Sequence, residues 1–166
     1  MAIFLYDPDT VNADALRIIA TRGYTCIKLT DNPEHFWATM RSVPAGQNFA
    51  LLSHGDSDGP LLVKGDSGAD LSADDDMLIL ANFLIGNRSA FILLSCETGS
   101  GDFGAKLEAA GERGLVFVAP IGLASFRASS QSVSVYSVDP KDNSKYLGWI
   151  GSEQLCPTRK TKPLDF

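Results

Sequence analysis

A chain of 166 residues fits one domain, 1–166, and is long enough to bury a substantial core. Apolar residues make up 45% and charged residues 20%, the balance of a soluble globular protein, and no apolar run is long enough to cross a bilayer. The net charge of −6, with no clustered basic face, argues against nucleic acid as the main partner.

The opening Met1-Ala-Ile-Phe-Leu-Tyr-Asp7 has neither a basic leader nor a cleavage site, so a secretory signal is not expected. Cys26, Cys96 and Cys156 form an odd, widely spaced set without a CxxC pair. That implies no disulfide framework, gives a structural zinc site little support and favours a reducing, cytoplasmic setting.

The predicted elements alternate. Ile3 to Tyr6 is an apolar strand, followed by the turn cluster Asp7-Pro8-Asp9. Asn12 caps a helix from Ala13 to Arg22 that Gly23 stops, and Tyr24 to Leu29 is the next strand. Asp31-Asn32-Pro33 opens a second helix with Phe36, Trp37 and Met40 on its buried stripe. Asn48 to Ser53 lacks polar alternation, as a strand covered on both faces should. Leu61 to Val63 and Ala69 to Leu71 read as a small hairpin around Gly65-Asp-Ser-Gly68.

Ser72 and Asp75 suggest a capping box for a helix from Ala73 to Ile85. Ala90 to Ser95 is the fourth core strand. A helix carrying Phe103, Leu107 and Ala110 follows, and then a strand from Leu115 to Ala119. Ile121 to Gln131 reads as a small-residue loop. Ser132 to Val138 and Tyr146 to Ile150 are β-like, with a turn at Asp139–Asn143 between them. The β-α-β-α order predicts a mostly parallel sheet with helices on both faces.

Two strands end on reactive side chains. Phe49-Ala-Leu-Leu-Ser-His54-Gly55 stops at an imidazole, and Ala90-Phe-Ile-Leu-Leu-Ser95-Cys96-Glu97-Thr98-Gly99 stops at a thiol. Strand ends of α/β sheets are where such folds place their sites. A histidine can take the thiol proton and return it to a leaving group. Gly55 allows close backbone approach, and the N–H groups of Gly55 and Cys96 can serve a developing oxyanion. The helix after Cys96 could favour its thiolate through the field of the helix N-terminus.

His54-Gly55-Asp-Ser-Asp-Gly-Pro-Leu-Leu-Val, Leu71-Ser-Ala-Asp and Leu93-Leu-Ser-Cys96-Glu97-Thr98-Gly99 resemble the caspase-related peptidases, most of all their CHAT branch. The resemblance covers about Asn48 to Pro120. It implies a caspase-like three-layer α/β sandwich with a small hairpin after the His-Gly strand. It also implies a cysteine endopeptidase (a thiol-protease hydrolase) with His54 and Cys96 as the dyad, Gly55 in the oxyanion hole and a thioester intermediate. No cofactor or metal is expected. The expected partners are a protein or peptide substrate and an activating or regulatory protein. The alternative implied is a catalytically idle caspase-like module that binds a partner protein.

Leu94 departs from the family's small residues before the cysteine and argues against a preference for a basic residue before the cleaved bond. Ser125-Phe126-Arg127 resembles the caspase segment that reads an acidic residue, because a guanidinium can grip a carboxylate with two parallel bonds. A solvated loop arginine beside a core phenylalanine is the plainer reading. Glu97 could line the cleft or cap the following turn.

Asp56, Asp58, Asp66, Asp70, Asp74, Asp75 and Asp76 lack the spacing of a calcium loop and read as solvated carboxylates. Gly99-Ser-Gly101 lacks a Walker lysine. A flavodoxin-like ligand-binding domain, with the two motifs accidental, is a third reading.

Overall fold

The computed structural model describes residues 1–166. Its central sheet has the order β11-β7-β6-β3-β1-β2. The strands are β1 (Ala2–Tyr6), β2 (Tyr24–Lys28), β3 (Phe49–Leu52), β6 (Phe91–Leu93), β7 (Phe117–Pro120) and β11 (Trp149–Gly151). The first five are parallel to one another. Only β11, at the edge, runs antiparallel, against β7.

Side chains alternate across this sheet, as the two-residue strand period requires. Ile3, Leu5, Phe49, Leu51, Phe91, Leu93, Phe117 and Ala119 point to one face. There they meet helices α2 (Pro33–Arg41), α3 (Asp74–Asn87) and α4 (Gly101–Glu112) through Phe36, Met40, Leu80, Leu84, Phe103 and Leu107. Ala2, Phe4, Tyr6, Ala50, Leu52, Ile92, Leu94 and Val118 point to the other. That face is covered by α1 (Ala13–Thr21) and by a second, smaller sheet that contributes Val133 and Val135. The fold is therefore α/β with a mostly parallel central sheet and helices on both faces, as expected. One face is completed by β structure.

The second sheet holds β8 (Leu123–Ala128), β9 (Val133–Asp139), β10 (Asp142–Tyr146) and β12 (Leu164–Asp165). The segment read as a loop from Ile121 to Gln131 is mostly β8, paired antiparallel with β9 from Leu123↔Val138 to Ala128↔Val133. Its alanines and serines have low strand preference, and the pairing partner supplies the order. Tyr146 to Ile150 is not one strand. Gly148, at φ +88°, turns the chain between β10 and β11.

The hairpin after His54 is closer to it than expected. β4 (Gly55–Asp56) pairs with β5 (Gly59–Pro60), and Leu61↔Asp70 is a single bridge where a hairpin was expected. The capping box at Ser72 is absent. Ala73 is the N-cap without a side-chain bond, and the Ser72 hydroxyl donates to Asp70 instead. No helix is long and apolar enough to cross a membrane.

Candidate functional site at the C-terminal ends of β1, β3 and β6

Parallel pairing brings the two reactive segments together. β3 and β6 run in register from Phe49↔Phe91 to Leu51↔Leu93. Continued along both chains, the register sets Ser53 opposite Ser95 and His54 opposite Cys96. The first of these pairs is made: Ser53 N–H donates to Ser95 Oγ at 3.2 Å, and the two hydroxyls lie 2.9 Å apart. Both serines are buried, so this link satisfies polar groups that would otherwise be costly. Gly55 then passes against the Cys96 turn. A Cβ there would lie 2.9 Å from Ser95 Cβ and 3.1 Å from Thr98 Cγ2. Glycine at this position is required by the packing.

The Cys96 turn is tightly held. Thr98 Oγ1 donates to Ser95 O at 2.7 Å, Glu97 N–H to Gly122 O at 2.8 Å and Gly99 N–H to Pro120 O at 2.8 Å. Glu97 adopts φ +58°, an uncommon backbone state for a side chain without a local reason such as that of Asn or Asp. The Cys96 N–H donates to no other residue.

The helix expected to favour a thiolate begins only at Gly101. Burial dominates instead and pushes the Cys96 thiol up from its ordinary range. A bond from Ala124 N–H to Sγ, at 3.4 Å, opposes this, and the nearby Glu97 carboxylate adds to it. The resting group is a neutral thiol, so it needs a base at the moment of attack.

His54 faces a residue that reads in the sequence only as part of a turn. Asp7 follows β1, and its side chain is fully buried, whereas that of His54 is 44% exposed. Asp7 Oδ2 lies 3.9 Å from His54 Nε2. The available signal was topological: β1 neighbours β3, so a residue just past β1 emerges at the same edge as His54.

Phe126 and Arg127 do not act as a pair. Consecutive residues of β8 face opposite ways. Phe126 packs on the core beside Ala124. Arg127 lies over the Tyr136 ring, 4.3 Å from its centre, and donates to Tyr146 Oη at 3.4 Å. This matches the plainer reading of a core phenylalanine beside an exposed arginine more than a pocket built by the two together. A cavity of about 670 Å³ lies elsewhere, between Arg22, Tyr24, Asn48 and Phe166. No group of three or more histidine, cysteine, aspartate or glutamate side chains has the arrangement of a metal centre.

No family model matches the chain, and no curated protein does. Among solved structures it is similar to an aromatic-amino-acid aminotransferase from Burkholderia pseudomallei (10% identity, TM-score 0.43). That alignment covers 70% of this chain and 30% of the enzyme. An aromatic amino acid aminotransferase from Burkholderia cenocepacia gives 16% identity and TM-score 0.43 over the same shares. The broad specificity aminotransferase from Leishmania mexicana gives 13% and 0.42, again over 70% and 30%.

The caspase-related expectation is overturned. These solved structures are aminotransferases, not peptidases of that group, and no family model restores the assignment. With it go the cysteine endopeptidase, the thiol-protease hydrolase and the idle caspase-like module. The chain spans about 30% of the length of these aminotransferases, and a likeness of this degree carries neither their activity nor their cofactor to it.

Proposed function

We propose that the edge formed by His54, Gly55 and Cys96 is a thiol-nucleophile site, in which Cys96 adds to an electrophilic carbonyl carbon with His54 as its base. The observation that supports this reading is the β3–β6 register, carried on by the Ser53–Ser95 bond, which when extended by one residue sets His54 opposite Cys96. Adjacent strands lie about 4.8 Å apart, which sets the backbone spacing of the two residues.

In the step, one S–C bond forms and the carbonyl π pair moves onto oxygen. The thiol proton passes to the imidazole and then to that oxygen. The N–H groups of Gly55 and Cys96 are the donors for the developing charge. Addition alone balances, and the proposal names no leaving group.

The three cysteines supply the control. Each is partly buried, and burial raises each thiol from its ordinary range. Alkylation by iodoacetamide near neutral pH, followed site by site by peptide mass spectrometry, should modify Cys96 faster than Cys26 and Cys156. His54→Ala should slow Cys96 alone, by about tenfold or more. Equal rates at all three sites, or an unchanged Cys96 rate without the imidazole, would refute the site.

A further inference from the structure

We infer that Asp7 is the positioning residue of His54, holding the imidazole with its proton on Nε2 and stabilising the cation formed when it accepts the Cys96 proton; this rests on the thiol-nucleophile reading above. Asp7 is a carboxylate with no access to water. Its oxygens are fixed by backbone donors on two sides. Asp9 N–H donates to Oδ1 at 3.0 Å, and Gly65 N–H donates to Oδ2 at 2.7 Å. Asp7's own N–H donates to Leu52 O at 2.7 Å, which fastens the residue to the end of β3, two residues before His54.

A buried carboxylate calls for a charged partner or several hydrogen bonds. His54 is the only basic side chain within ion-pair distance of Asp7. At 3.9 Å the Nε2–Oδ2 contact is longer than a hydrogen bond and short enough to become one as the ring gains charge.

The segment that supplies Gly65 has a part in this. Lys64 N–H donates to Thr30 O at 2.9 Å, so residues 64–65 are tied across the ends of β1 and β2 and close over Asp7. The backbone donors would hold the carboxylate in place whether or not the imidazole is charged. That is what a positioning group requires: it does not move, and the ring turns toward it. With Nε2 protonated and facing Asp7, Nδ1 is the free basic nitrogen.

The chain has two histidines, so nitrogen-15 spectra of the ring atoms are simple to assign, with His35→Gln as the reference. In the unaltered protein the neutral His54 ring should be the Nε2–H tautomer. Asp7→Asn keeps the shape and an oxygen acceptor but removes the charge. It should slow Cys96 alkylation by about tenfold or more and mix the tautomers. Combined with His54→Ala, it should add no further loss, because Asp7 acts only through the ring.

A resting Nδ1–H tautomer in the unaltered protein would overturn the inference without recourse to any Asp7 variant. An unchanged rate in Asp7→Asn, or losses that add in the double variant, would also overturn it. An unchanged rate in His54→Ala alone would instead overturn the site reading on which it stands.

Discussion

Cys96 is held between opposing influences, and each has a named source. Burial pushes its pKa up, the Ala124 N–H pulls it down and the Glu97 carboxylate pushes it up again. Glu97 is removable without touching the fold's core. Glu97→Gln should therefore move the pH profile of Cys96 alkylation to lower pH, with Cys26 and Cys156 unmoved as internal references. A profile that stays in place or moves up would show that the carboxylate does not act on the thiol. Asp7 teaches the complementary lesson. Its charge is fully buried while the imidazole it faces is substantially open to water, so the pair is anchored on the carboxylate side.

At the scale of elements, the turn from Ser95 to Gly99 is the piece on which the site depends. Gly99 has no room for a side chain: a Cβ would come within 2.8 Å of both Ala119 O and Pro120 O. Gly99→Ala should cost about 1–3 kcal/mol in urea unfolding, the usual range for overpacking, because β7 or the turn must shift. Its Cys96 should also lose its reactivity advantage. A variant as stable and as reactive as the unaltered protein would show that the turn is slack.

The same elements show what the sequence could express. Apolar runs such as Phe49–Leu52 and Phe91–Leu93 are legible because buried parallel strands need no polar alternation. The two residues that end the strand runs, His54 and Cys96, are legible for the same reason. β8 was not, since alanine and serine carry little strand signal and its order comes from β9. Asp7 beside Pro8 reads locally as a turn. Its meeting with His54 depends on β1 neighbouring β3, a fact of sheet order that no local pattern contains. For Phe126 and Arg127 the plainer reading held in part, a phenylalanine on the core beside an exposed arginine, but on a strand and not in a loop.

The whole molecule has a common electrostatic tendency. Burial pushes up the pKa of Cys26, Cys96, Cys156, Tyr6 and Tyr24 together. Below the ordinary thiol value of about 8.5 these groups are protonated in both folded and unfolded chains, so their contribution is complete. Above it the unfolded chain loses protons first, and the folded state loses stability as pH rises through the raised values. The melting temperature should accordingly fall as pH rises above about 8.5, the cysteines acting first and the tyrosines following. A melting temperature constant between about pH 8 and 10 would contradict this picture.

The bonds that hold the Cys96 turn to Gly122 and Pro120, with Gly104 packed so closely that a Cβ would meet Gly99 O at 2.6 Å, tie that corner on several sides. A small molecule arriving there meets atoms already in place. Calorimetry of such an encounter should accordingly record a modest negative heat-capacity change set by the area of the guest alone, without the larger signature of a polypeptide segment ordering around it.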